Sequence, residues 1–257
     1  MTFTRRQCLA MFSATAAALA IPLSGIAEAP RLIMHYGDNL NPLSFETGDR
    51  MNGLLVDLMN AILRDRMGYD VVHQGFPWAR AQQLVREGAG DGFCTNPTAP
   101  RREYAFFSAT PALTIDFELF YNRDNPEREI IESVNSLEDI RNLSIVDYKG
   151  NNLARSIYPR SYDVLWANSP ENIIRTLAEG RRDIYIGNPL YAMRIIREQG
   201  LEDTIARKPV SIMPPTRYHL GIRKSYPHAR AVLAHFDLEM AEARKQGVVH
   251  DIRQRYY

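Results

Sequence analysis

The sequence predicts an α/β protein of two lobes, joined by two crossing strands and preceded by a cleavable leader. Three observations carry this. Strand-like and helix-like stretches alternate from Arg31 onward, as parallel βαβ units require. Proline-marked breaks at Pro111–Asp116 and Pro214-Pro215 interrupt that alternation twice. A basic, then apolar, then small-residue segment stands in front of it. The 257 residues suffice for two lobes of roughly 100–130 residues each.

The leader is expected over residues 1–29. Thr4-Arg5-Arg6-Gln7 precedes an Ala-rich apolar run from Cys8 to Ile21, and Ala27-Glu28-Ala29 offers a cleavage site. The run is short for a membrane span. The paired arginines are similar to a twin-arginine address; a general secretory signal carrying two arginines is the other reading. Cleavage is expected after Ala27 or Ala29.

Composition is ordinary for a globular chain, with 45% hydrophobic and 24% charged residues. A net charge of +1 gives no reason to expect nucleic acid or a membrane surface as partner. With Cys8 in the leader, Cys94 stands alone and no intrachain disulfide is expected. The six histidines are scattered, so no metal site and no cofactor is expected.

In chain order, Arg31–Tyr36 reads as a buried strand and Gly37–Asn52 as a loop. Leu54, Leu55, Leu58, Met59, Ile62 and Leu63 recur at helical spacing up to Gly68. Tyr69–His73 is the next strand, a helix follows Pro77 to Gly88, and Asp91–Cys94 is the third strand. Leu113–Tyr121 reads as one long β run. Ser136 is placed to cap a short helix, with Asp139 three residues on. Leu143–Val146 is a strand leading through Tyr148-Lys149-Gly150-Asn151-Asn152 into a helix. Ser169-Pro170 starts a further helix that ends at Gly180. Asp183–Ile186 is a strand, Tyr191–Glu198 a helix, Arg217–Arg223 a strand, and His228–Gly247 a long helix before the terminal segment. Residues 30–112 and 215–257 thus form a first lobe, with 113–214 inserted as the second.

The segment Asp91–Pro111 carries the chemistry. Asn96 and Thr98 lie a few residues from Arg101, just past a strand end. A guanidinium fork matches a carboxylate's two oxygens, and short amide and hydroxyl donors assist it. The turn Tyr148–Asn152, at a strand-to-helix junction, is a second place where backbone N–H groups favour an anion. A solvated charge run of Arg101, Arg102 and Glu103 is the plainer reading of the first feature. Cys94 reads as a small buried strand residue.

The chain from residue 30 to 257 resembles the bacterial extracellular solute-binding proteins of family 3. The marks are Gly53-Leu54-Leu55-Val56-Asp57-Leu58, Leu84…Gly88…Asp91, Thr98-Ala99-Pro100-Arg101 with Phe107-Ser108, Gly180-Arg181-Arg182-Asp183, and Leu220-Gly221-Ile222-Arg223-Lys224. Phe76-Pro77-Trp78-Ala79-Arg80 resembles a tryptophan-bearing subgroup. The resemblance implies a periplasmic-binding-protein-like fold of type II. It also implies a monomer in a Gram-negative-type periplasm that binds a small carboxylate or amino-acid-like ligand for an inner-membrane ABC permease. It makes Arg101 the carboxylate grip, assisted by groups at Asn96 and Thr98. Tyr36, Phe76 and Trp78 become side-chain walls, and the loop with Tyr148, Gly150 and Asn151 becomes the second lobe's contribution.

Where the family places an aspartate for the ligand's ammonium, this chain has Asn188. The exchange forfeits a charge-assisted bond of about 1–3 kcal/mol. It points to a carboxylate without an α-amine, or to an aromatic or modified amino acid. Two other functions remain open at this level. One is an accessory or sensor protein with a protein partner. The other is a cyclohexadienyl-dehydratase-like enzyme using Glu46, Asp38 or Glu118 as general acid.

Overall fold

The computed structural model describes residues 29–256. The leader, apart from Ala29, lies outside the described residues. The first sheet runs Asp70–Phe76, Arg31–Gly37, Gly92–Thr95, Thr216–Arg223, Ala105–Phe107, and Leu113–Ile115 also pairs with Thr216–Arg223. The first three strands are parallel, with Arg31 opposite Asp70 and Gly37 opposite Phe76. Thr216–Arg223 runs antiparallel to its neighbours.

The second lobe repeats the plan. Val164–Ala167 pairs parallel with Ile145–Tyr148, which bridges to Ile184. Tyr185–Gly187, Glu118–Asn122 and Ile205–Pro209 continue the arrangement as antiparallel neighbours. In both lobes the fourth position is taken by the strand that arrives from the other lobe. The two connecting segments lie side by side, since Thr216 pairs with Ile115 and Pro209 with Glu118.

Strand alternation sorts the cores. Leu119 and Tyr121 enter one cluster of the second lobe with Ile145, Ile184 and Ile186. Phe120, one residue out of phase, enters the other with Val146, Ile173, Ile174 and Ile195. The first lobe packs Leu32, Met34, Leu54, Leu58, Ile62, Phe236 and Met240 into one cluster. Its strands are tied by Asp91, which accepts from the Ile33 N–H at 2.9 Å and pairs with Arg223 Nη2 at 2.9 Å. Gly53 holds the entry to the first helix at φ +118°, where a Cβ would meet the Leu43 carbonyl oxygen at 2.6 Å, so only glycine fits.

The structure corrects the sequence reading in several places. The expected loop after Gly37 contains a small antiparallel meander of Asn39–Leu40, Ser44–Thr47 and Arg50–Asn52. The helix from Leu54 loosens into a π-helical turn over Asn60–Arg64. The long β run is two strands, Leu113–Ile115 and Glu118–Asn122, broken where the chain changes lobes. Ser136 does not cap; the Asp139 carboxylate accepts from the Asn135 and Ser136 N–H groups instead. Ala105–Phe107, Val164–Ala167 and Ile205–Pro209 are strands, and Arg128–Ser133 a helix, that periodicity did not reveal. Ser169 caps its helix as expected, accepting from Asn172 N–H at 3.3 Å.

Candidate functional site

Two cavities, one on each lobe, share Tyr191 in their walls. The first, of about 240 Å³, opens on the first lobe and is walled by Tyr36, Trp78, Thr95, Asn96, Arg101 and Tyr218, among others. The second, of about 280 Å³, belongs to the second lobe and is walled by Phe117, Tyr148, Asn151, Ile174, Tyr185 and Asn188, among others. Tyr191 stands in the first turn of the helix Pro189–Glu198, beside Leu190. Leu190 is fully buried, and both residues pack against the core of the first lobe. Burial pushes the Tyr191 hydroxyl up to about 12.

Arg101 is half-buried in the short helix Ala99–Arg102. Its Nε donates to Gln82 Oε1 at 2.9 Å, and its Nη1 donates to the Asn96 carbonyl oxygen at 2.9 Å and to Asn96 Oδ1. The guanidinium lies over the Trp78 ring. Every one of these partners is neutral. Among the described residues no carboxylate pairs with Arg101, and burial lowers its affinity for its proton. A cation held by neutral groups at a cavity wall keeps its charge uncancelled and so attracts an anion.

Other expected residues are placed differently. Tyr36 is buried, and its hydroxyl donates to His73 Nδ1 at 2.9 Å, so it shows the cavity only its ring. His73 Nε2 in turn donates to Asn60 Oδ1 at 2.8 Å, and burial drives the imidazole down to about 4. Phe76 lines neither cavity. It pairs in register with Gly37, one residue out of phase with Tyr36, and its ring packs edge-on against His35 at 4.9 Å. Thr98 lines a separate hollow on the outer side of Arg101, with Gln83 and Arg86.

In the turn after the strand Ile145–Tyr148, three backbone N–H groups are already taken. The Tyr148 N–H donates to Asp147 Oδ1 at 2.6 Å, the Lys149 N–H to Ala167 O at 2.9 Å, and the Asn151 N–H to Tyr148 O at 2.9 Å. Of this turn, Tyr148 and Asn151 line the cavity. Gly150 lines neither cavity; it makes room, since a Cβ there would meet the Tyr148 ring at 2.6 Å. Asn151 caps the following helix, accepting from Ala154 N–H at 3.1 Å, and its Nδ2 donates to Asp147 Oδ1 at 2.9 Å. Asn188 likewise caps its helix, accepting from Leu190 N–H at 2.9 Å.

Asp147 was invisible to sequence reasoning. It is fully buried behind the turn. The Tyr158 hydroxyl lies near enough to interact but not in hydrogen-bonding geometry. Burial raises the Asp147 carboxyl to about 6, against the opposing pull of Asn151 and the Tyr148 N–H. Tyr191, Tyr218, Phe117 and Tyr185 were also missed. Cys94 is buried, and burial pushes its thiol far up, so it is no nucleophile. Among the described residues no cluster of three His, Cys, Asp or Glu is placed to hold a metal. No described helix is long and apolar enough to cross a membrane.

Among proteins of curated function none matches the sequence. Solved structures share the fold. The L-cystine solute receptor of Neisseria gonorrhoeae, unliganded and open, superposes with a TM-score of 0.73 at 12% identity, covering 90% of this chain and 93% of that one. Substrate binding domain 2 of Lactococcus lactis GlnP, also open, gives 0.69 at 17% identity, covering 89% and 96%. A histidine kinase sensor domain with similarity to periplasmic binding proteins gives 0.60 at 22% identity, covering 89% and 96%. The fold is therefore the two-lobed, periplasmic-binding-protein-like one, and its structural neighbours are mostly binding proteins. The model for bacterial extracellular solute-binding proteins, family 3, matches residues 32–257, and the chain belongs to that family.

Proposed function

We propose that this protein captures a small carboxylate-bearing molecule between its lobes and hands it to an inner-membrane ABC permease. Export to a Gram-negative-type periplasm, by the twin-arginine or the general route, precedes capture. The lobes are residues 30–112 with 215–257, and 113–214. The protein acts as a monomer.

The observation that carries this reading is Arg101. Its guanidinium is positioned by Gln82, Asn96 and Trp78, is neutralised by no described carboxylate, and faces a cavity that Tyr191 covers from the opposite lobe. A guest touching both Arg101 and Tyr191 would bridge the lobes and favour their closed arrangement. Asn96, Trp78 and the ring of Tyr36 serve the first lobe's half of the site. Tyr148, Asn151 and Asn188 serve the second.

An enzyme reading gains less support. Glu118 pairs with Arg207 at 3.0 Å, Glu46 is exposed, and neither these nor Asp38 line either cavity. A sensor role is the second reading, favoured by the histidine kinase sensor domain that shares the fold.

The test is a thermal-shift and calorimetric screen of carboxylates and amino acids. The expected result is micromolar binding without turnover, with a loss of about tenfold or more in Arg101→Gln. Silence across the screen, or binding indifferent to Arg101, would refute the proposal.

A further inference from the structure

The two cavities differ in chemistry, and the difference bears on the guest's second half. Arg101 and Asn96 make the first-lobe cavity cationic and polar at one wall. The second-lobe cavity is walled mostly by the rings of Phe117, Tyr148, Tyr185 and Tyr191 and the aliphatic groups of Ile174 and Ile195, with Asn151 and Asn188 its neutral polar side chains. No aspartate or glutamate lines either one.

Asp147, the chain neighbour of the lining residue Tyr148, does not reach the second-lobe cavity. Its Oδ1 is taken by the Tyr148 N–H and by Asn151 Nδ2, and the residue is fully buried behind them. Asn188 does not replace an acid, because its amide carries no charge and its Oδ1 already accepts from the Leu190 N–H. An α-ammonium is two bonds from its carboxyl carbon, so it would lie beside Arg101, where no acid lines the cavity either; it would give up its water, gain no counter-charge and face a like charge. The aromatic faces and the neutral amides of Asn151 and Asn188 are all the second-lobe wall offers a cation; Ile174, Ala192 and Ile195 beside them are apolar, and none of these groups carries a charge.

Resting on the reading of Arg101 as the carboxylate grip, we infer that the guest is an aromatic carboxylate without an α-ammonium. Its acid group meets Arg101 in the first lobe, and its ring passes Tyr191 into the second-lobe cavity. The net charge of such a guest cancels that of Arg101 and leaves no cation to satisfy. This chooses between the two ligand classes that Asn188 alone left open.

The test is a set of matched pairs titrated into the full-length purified protein after exhaustive dialysis. Phenylacetate is set against phenylglycine, hydrocinnamate against phenylalanine, and indolepropionate against tryptophan. Hydrocinnamyl alcohol and glycine betaine complete the set. Heat and tryptophan emission are read together, since Trp78 lines the first cavity. At least one amine-free acid is expected to bind about tenfold or more tightly than its amino counterpart, and the alcohol not at all. Asn188→Asp keeps a capping side chain and adds a charge, so it is expected to narrow that gap. Thermal melts of each variant separate lost binding from lost folding.

Equal or tighter binding of the amino acids, still abolished in Arg101→Gln, would overturn the amine-free class and leave the Arg101 grip standing. A preference for the betaine would overturn it as well. Amine-free binding unaffected by Arg101→Gln would overturn the grip itself, and silence of the whole set would overturn both.

Discussion

The Arg101 guanidinium carbon lies 5.2 Å from the centroid of the Trp78 ring. The contact spans a helix boundary, since Trp78 opens one helix and Arg101 lies in another. It fixes the plane of a cation that no described carboxylate orients. Replacing Trp78 by Leu should remove about 1 kcal/mol of this orientation and weaken ligand binding about fivefold. Calorimetry on Trp78→Leu, with melting measured alongside, checks it. Unchanged affinity would mean that Gln82 and Asn96 suffice.

Two buried groups should give opposite acid responses. Asp147 is raised to about 6, so between about pH 4 and 6 its native form holds a proton that the unfolded chain has released. Its favourable contribution is full below the unfolded value and is lost as pH rises through about 6. Asp147→Asn should therefore stabilise the protein at pH 7 by up to about 3 kcal/mol, read from denaturant melts.

His73 is lowered to about 4, so the unfolded chain takes up its proton first. Its contribution is full above about 6.5 and is lost as pH falls to about 4. His35 and His219, also lowered by burial, act in the same direction. His73→Gln can still accept from Tyr36 and donate to Asn60, so it should flatten the acid side by up to about 3 kcal/mol. In the wild type these slopes offset Asp147 between about pH 4 and 6. Melts of both variants over that window should diverge, and parallel profiles would refute the assignment.

Gly150→Ala should displace the Tyr148 ring, because the added methyl meets it at 2.6 Å. The site is exposed, so stability should hardly move. Binding of a ring-bearing guest should weaken several-fold while acetate, which does not reach that cavity, is unaffected. A matching loss for acetate would refute this division of the site.

Tyr191→Ala should loosen the two lobes without harming either. About 1–3 kcal/mol of interlobe packing is removed. Small-angle scattering of the unliganded protein should show a larger radius of gyration than the wild type. An unchanged radius would show that Leu190 and the connecting strands hold the arrangement alone.

Much of the architecture was legible because it rests on local signals. The helix of Leu54 to Leu63 shows its period, Ser169-Pro170 its cap, and the proline breaks mark where the chain changes lobes. The short strands Ala105–Phe107 and Val164–Ala167 were not, since three or four residues carry no period and their pairing is set by distant partners. Arg101 and Trp78, which line the first cavity, stood out because charge and size are visible in a sequence. Phe76 was misplaced because a register of one residue decides which face of a sheet it joins. That the Tyr148 and Lys149 amides are engaged was not legible, because it depends on Asp147 and Ala167 together. Tyr191 was missed because the side of its helix that meets the other lobe is a tertiary matter.

The connection between the lobes is unequal in its two arms. Only Asp116 and Phe117 separate the paired strands on one side, while Val210 to Pro215 separate them on the other. The short arm permits turning but almost no stretching, so it sets the axis of any swing, and the longer, proline-bearing arm merely follows. Stiffening the short arm should therefore change how fast a guest enters and leaves far more than the same alteration in the long one.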